Sequence, residues 1–167
     1  MECALNMCLL DKRLKVLSVA ILFFISLNIY SCSNDIQNVD LNEAVKSIME
    51  NDSDEIFKDG ASKEFKRYYG LNINDYDQVI LKLPNSNMDV NEILIVKVKN
   101  ESDIDLLEES IDARVENQGN IFKDYAPEQY SIVQDYELYI KDNIVFFVIS
   151  KNAESIKKNF KDILKQH

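Results

Sequence analysis

"YELYIKDNIVFFVIS", residues 136–150, holds two runs rich in β-branched, aromatic and aliphatic residues with Asp142-Asn143 between them. Tyr136–Lys141 reads as one strand and Asn143–Ile149 as the next. Asp and Asn tolerate the positive φ that a two-residue hairpin turn demands, so the runs fold back on each other. "IVFFVI" is apolar at every position, which suits a strand buried on both faces in the middle of a sheet.

The same pattern recurs upstream. Gln78–Leu83 is strand-like and Pro84 ends it. Glu92–Lys99 is a second strand, with Leu94, Val96 and Val98 on one face and Ile93 and Ile95 on the other. Ser102 then opens a long helix with Asp105 in capping reach and Ile104, Leu107, Ile111 and Val115 at helical spacing. Pro127 suits the first turn of a short helix after the loop at 119–126. A last helix after Asn152 brings Ala153, Ile156, Phe160, Ile163 and Leu164 to one face. Nearer the N-terminus, Asp40 with Glu43 opens a helix whose apolar stripe is Leu41, Ala44, Val45, Ile48 and Met49, and "NDSDE" at 51–55 breaks it. A short helix after Ser62 carries Phe65, Tyr68 and Tyr69, and Gly70 stops it. The order β-β-α-β-β-α, preceded by one or two short helices and a signal helix, predicts an α+β fold. It would be a two-layer sandwich, a four-stranded antiparallel sheet with helices on one face. The expected boundaries are a signal peptide over 1–31, a tether and N-terminal helix over 32–62, and a single α+β domain over 63–167.

Val16–Tyr30 is apolar apart from Ser18, Ser26 and Asn28, and Lys12, Arg13 and Lys15 precede it. A basic patch, a short apolar core and a small residue before a cut make a secretory signal. A spanning helix needs about 20 apolar residues, more than this run offers. Ile29, Tyr30, Ser31 and Cys32, followed at once by polar residues, resemble a bacterial lipoprotein signal. That resemblance implies cleavage before Cys32 and its lipidation with palmitate, and hence a cell-membrane anchor on the extracytoplasmic face. An uncleaved anchor helix is the alternative, and it too leaves residues 33–167 outside. A start at Met7 would give a more ordinary signal length.

Cysteine use follows from that junction. Cleavage removes Cys3 and Cys8 and the lipid takes Cys32, leaving no thiol or disulfide to the folded part. The whole chain carries a formal charge of −10, and residues 32–167 hold 16 basic against 27 acidic side chains. Nucleic acid repels such a chain, as does an anionic membrane surface, so attachment falls to the N-terminal lipid.

Catalytic signatures are missing. The one histidine is His167, at the chain end, where a general base cannot be positioned. Gly60, Gly70 and Gly119 are too far apart for a phosphate-cradling loop. "NSNMDVNE" at 85–92 alternates Asn85, Asn87, Asp89 and Asn91 like the oxygen ligands of a calcium loop. However, Val90 and Val96 stand where such a loop needs glycine and a bidentate glutamate. The stretch reads as an interstrand loop. No tryptophan is present to build a sugar-stacking cleft. No catalytic residue, metal or cofactor is expected. Phe122, Tyr125, Pro127, Tyr130, Tyr136 and Tyr139 form an aromatic set, and tyrosine favours interfaces. The expected partner surface is Phe122, Tyr125, Pro127, Glu128, Gln129 and Tyr130. Sealing the sheet edge is the other use for such residues.

"YYGLNINDYDQVILKLPNSNMDVNEILIVKVK" (68–99), "IDARVENQ" (111–118), "YAPEQY" (125–130) and "NIVFFVIS" (143–150), in that order, resemble the domain of unknown function 4358 family. The resemblance runs over residues 65–165. It implies a small lipoprotein of Gram-positive bacteria and carries no activity with it. The expected function is therefore a membrane-anchored extracytoplasmic lipoprotein acting as a non-catalytic interaction module with an extracytoplasmic protein partner. Capture of a small solute or peptide at the cell surface is the alternative.

Overall fold

The computed structural model describes residues 39–50 and 57–165. The signal segment 1–31 and the lipidation site Cys32 lie outside the described residues. Helix α1 (Leu41–Glu50) begins where Asp40 Oδ1 accepts the N–H groups of Asn42 and Glu43, at 2.9 and 3.4 Å. That satisfies donors that the first turn otherwise leaves without partners. Its buried residues are Leu41, Ala44, Val45, Ile48 and Met49, the stripe read from the sequence. Strand β1 (Phe57–Asp59) follows, then helix α2 (Ser62–Tyr69). Gly70 ends α2 at φ 72°, with its N–H on the Lys66 carbonyl at 3.0 Å, a conformation any side chain would strain.

The remaining elements are β2 (Gln78–Pro84), β3 (Glu92–Lys97), α3 (Ile104–Phe122), α4 (Pro127–Gln134), β4 (Glu137–Lys141), β5 (Ile144–Ile149) and α5 (Ala153–Lys165). Helix α3 is not capped by Ser102. A 3₁₀ turn over Glu101–Asp103 runs into it, and Asp103, already in helical backbone, makes no side-chain cap bond. Pro127 takes the first turn of α4 as expected. Asp142, at φ 52°, turns the β4–β5 hairpin, which closes on the pair Lys141 and Ile144.

All pairings are antiparallel and the strand order is β1-β2-β3-β5-β4. Two expectations are corrected. The sheet has five strands, not four, because Phe57–Asp59 adds a short edge to β2. Gly60 permits that edge: its N–H meets the Leu81 carbonyl at 2.8 Å, and a Cβ there would lie 2.6 Å from the Leu81 side chain. The helices also cover both faces, not one. Ile93, Ile95, Phe146 and Val148 pack with α1 and α5, while Leu94, Val96, Val145, Phe147 and Ile149 pack with α2, α3 and α4. A strand apolar on both faces cannot leave either one to water, and β5 is buried at all six positions. Both α1 and β1 contribute to this core, so the folded unit starts before residue 63.

Candidate functional site

The expected partner surface is divided by the fold. Phe122 faces inward and is buried. Gln129 is half-buried, and its Oε1 accepts the Val90 N–H at 3.1 Å, tying α4 to the β2–β3 loop. Tyr125, Pro127, Glu128 and Tyr130 are exposed. Glu128 pairs with Lys151 at 2.6 Å. That hydrogen bond and charge hold the Glu128 carboxyl below its ordinary range and the Lys151 ammonium above its own. An exposed pair of this kind adds little stability. Of the wider aromatic set, Tyr136 packs on Phe147 on the α3 side of the sheet, and Tyr139 lies on the α5 side under Lys161.

Among the described residues the exposed large apolar side chains are Met88, Leu106, Ile121, Tyr125 and Tyr130, with Leu106 in the first turn of α3 and apart from the others. Ile121, Tyr125 and Tyr130 belong to the α3–α4 junction, and Met88 sits in the loop that Gln129 ties down. That loop is internally bonded. Ser86 Oγ accepts the Met88 N–H, and Asp89 Oδ1 accepts both the N–H and the side-chain amide of Asn91, at 3.0 and 2.7 Å. Among the described residues no three His, Cys, Asp or Glu side chains are grouped to hold a metal ion, and no helix is long and apolar enough to cross a membrane.

Beneath this end lies a polar cluster absent from the sequence reading. Glu92, at the start of β3, is fully buried. Its carboxylate accepts the Tyr69 hydroxyl at 2.5 Å and the Arg114 guanidinium through Nε at 3.1 Å and Nη2 at 2.6 Å. The Arg114 guanidinium stacks over the Tyr68 ring, 4.1 Å from its centroid. Burial works against the Arg114 charge, but the Glu92 carboxylate outweighs it and holds the pKa above the ordinary value. Burial, then the Glu92 charge, pushes the Tyr69 phenol well above its usual 10.0, so Tyr69 stays a donor. The signal was present in the spacing. Glu92 shares the strand face of Leu94 and Val96, and Arg114 and Gln118 fall on the stripe of Leu107, Ile111 and Phe122.

Stability should therefore fall at alkaline pH. Above about pH 10 the unfolded Tyr69 releases its proton while the folded one keeps it. The unfolded state then binds fewer protons and gains with rising pH. Burial also raises Tyr76 and Tyr136. In denaturant titrations between pH 8 and 11, Tyr69→Phe should show a shallower alkaline loss than the parent. Equal slopes would contradict a protonated, buried Tyr69.

Two clefts meet above the cluster and share Arg67, Tyr68, Arg114 and Ile121. One, of about 550 Å³, runs between α2 and α3 and is also lined by Ser110 and Asn117. The other, of about 590 Å³, opens toward the β2–β3 loop and includes Lys58, Asp59, Glu64 and Asp89.

No curated protein and no solved structure matches the chain. A family model described as a domain of unknown function (DUF4358) matches residues 39–150, from just before α1 through β5. The match starts earlier than the resemblance read from the sequence, taking in α1 and β1, and it stops before α5. It covers more than half of the chain, which therefore belongs to the domain of unknown function 4358 family.

Proposed function

We propose that this chain is a lipoprotein held on the extracytoplasmic face of the cell membrane through Cys32, acting as a non-catalytic interaction module. The observation that carries the reading is the exposure of Ile121, Tyr125 and Tyr130 along the α3–α4 junction, Ile121 on the α2 side of α3 and Tyr130 on the side of Gly119. A buried hydrogen-bonded cluster fixes the helices beneath them. Large apolar side chains left in water beside a fixed helix end suit contact with a partner. The acidic balance supports anchoring by lipid and not by the protein face. Capture of a small solute or peptide is a second reading, supported by the cleft between α2 and α3.

In cells, labelled palmitate should enter the protein, and Cys32→Ser should abolish the label. A photo-crosslinking residue at position 125 should give one defined adduct in the membrane fraction, lost on Ile121→Asp. Label retained in Cys32→Ser would sink the anchor, and an adduct indifferent to Ile121→Asp would sink the surface.

A further inference from the structure

The chain carries 29 acidic against 19 basic side chains, yet none of the nine residues lining the α2–α3 cleft is acidic. Glu92, the carboxylate below, is fully buried and already paired with Arg114 and Tyr69. Arg67 is exposed at the mouth, where its guanidinium lies 5.7 Å from the Tyr68 ring centroid. Among the described residues it enters no ion pair. Lys63 and Lys66 stand on the same helix. Arg67 thus offers a cation to a small anion at that point, while the carboxylates of Asp59, Glu64 and Asp89 line the adjoining cleft and not this one. Ile121, half-exposed, and the Tyr68 ring supply apolar wall, and the volume of about 550 Å³ matches small-molecule sites.

We propose that the cleft between α2 and α3 binds a small organic carboxylate with an aromatic body, the carboxylate on Arg67 and the ring between Tyr68 and Ile121. Guanidinium matches carboxylate in a planar fork. Asn117 and Ser110 stand along the cleft as further polar groups. Arg114 is the floor: Glu92 holds it, and it keeps Tyr68 in place through the stacked ring. Arg67 is the binding residue and Arg114 the positioning one. The proposal rests on the solute-capture reading and needs no lipid; because Ile121 lines the cleft and also belongs to the partner surface, Arg67→Gln, which leaves residues 121–130 unchanged, separates failure of this proposal from failure of the interaction-module reading.

The test is a titration of the purified full chain with 3-phenylpropionate, following the amide resonances of Gly70, Ala113 and Asn117. These should move and saturate with a Kd of about 1 mM or tighter, the range open to a ligand of this size. The neutral 3-phenylpropionamide should bind at least about tenfold more weakly, the worth of one charge-assisted contact. Arg67→Gln should weaken the acid by a similar factor, and Arg67→Lys should recover part of the loss. Ala113→Glu, on the exposed rim, should weaken it by adding a like charge. The proposal is overturned if no saturating shift occurs, or if the amide binds as well as the acid. It is also overturned if inorganic phosphate competes equally, or if Arg67→Gln changes nothing. An acidic peptide displacing the acid more tightly than any small carboxylate would likewise replace the small-molecule assignment.

Discussion

Phe146→Ala should cost about 3–5 kcal/mol, the loss of transfer energy plus the cavity that the neighbours cannot close. Phe146 is fully buried in β5, paired across the sheet with Ile95 on one side and Tyr139 on the other. Its ring stacks on Phe160 of α5, with centroids 4.3 Å apart at 17°. Truncation therefore opens a hole between sheet and helix and removes an aromatic pair in the same step. Against a total stability of about 5–15 kcal/mol for a domain of this size, the variant should be marginal or unfolded. Urea denaturation followed by circular dichroism gives the midpoint. A midpoint equal to the parent's would mean that the β5–α5 packing is not the one described.

Arg114→Met should be comparably severe for a different reason. It leaves the Glu92 carboxylate buried with only the Tyr69 hydroxyl as partner, and breaking a buried pair in this way costs about 3–5 kcal/mol. Glu92→Met strands the Arg114 charge instead. The double variant Glu92→Met/Arg114→Met should be less damaging than the two losses added together, because neither charge is then orphaned. A double-mutant cycle on unfolding free energies measures the difference. Strict additivity, or an Arg114→Met protein with the parent's midpoint, would show that the pair is not coupled as the distances imply.

The four long strands, the β4–β5 turn and the apolar stripes of α1 and α5 were legible because each rests on local periodicity. What escaped depends on partners distant in sequence. Phe57–Asp59 is too short to show alternation, and it becomes a strand only because β2 offers an open edge beside Gly60. The second helical layer was readable in principle: Ile93 and Ile95 oppose Leu94 and Val96, and two apolar faces require two covers. Turning that into a layer count requires knowing on which side each helix returns, and no local pattern carries that. The same limit explains Phe122. An aromatic beside Tyr125 and Tyr130 reads as surface until the pitch of α3 directs it inward. Glu92 and Arg114 carry no local signal of pairing, because a charge at a strand start or in a long helix is ordinarily solvated. Only their mutual approach across the α3–sheet interface makes them a unit.

The strand order β1-β2-β3-β5-β4 also bears on how the chain finds its shape. β2 with β3, and β4 with β5, are hairpins that close between neighbours in sequence, within microseconds for such elements. The seam joining them, β3 to β5, must wait until α3 and α4 have been spanned, with Ile95 meeting Phe146 at its middle. Closing that loop spends entropy before any contact rewards it, so docking of two preformed hairpins is the slow step. Until it happens, β3 and β5 each present an apolar unpaired edge, the pairing most exposed to capture by another copy of the chain.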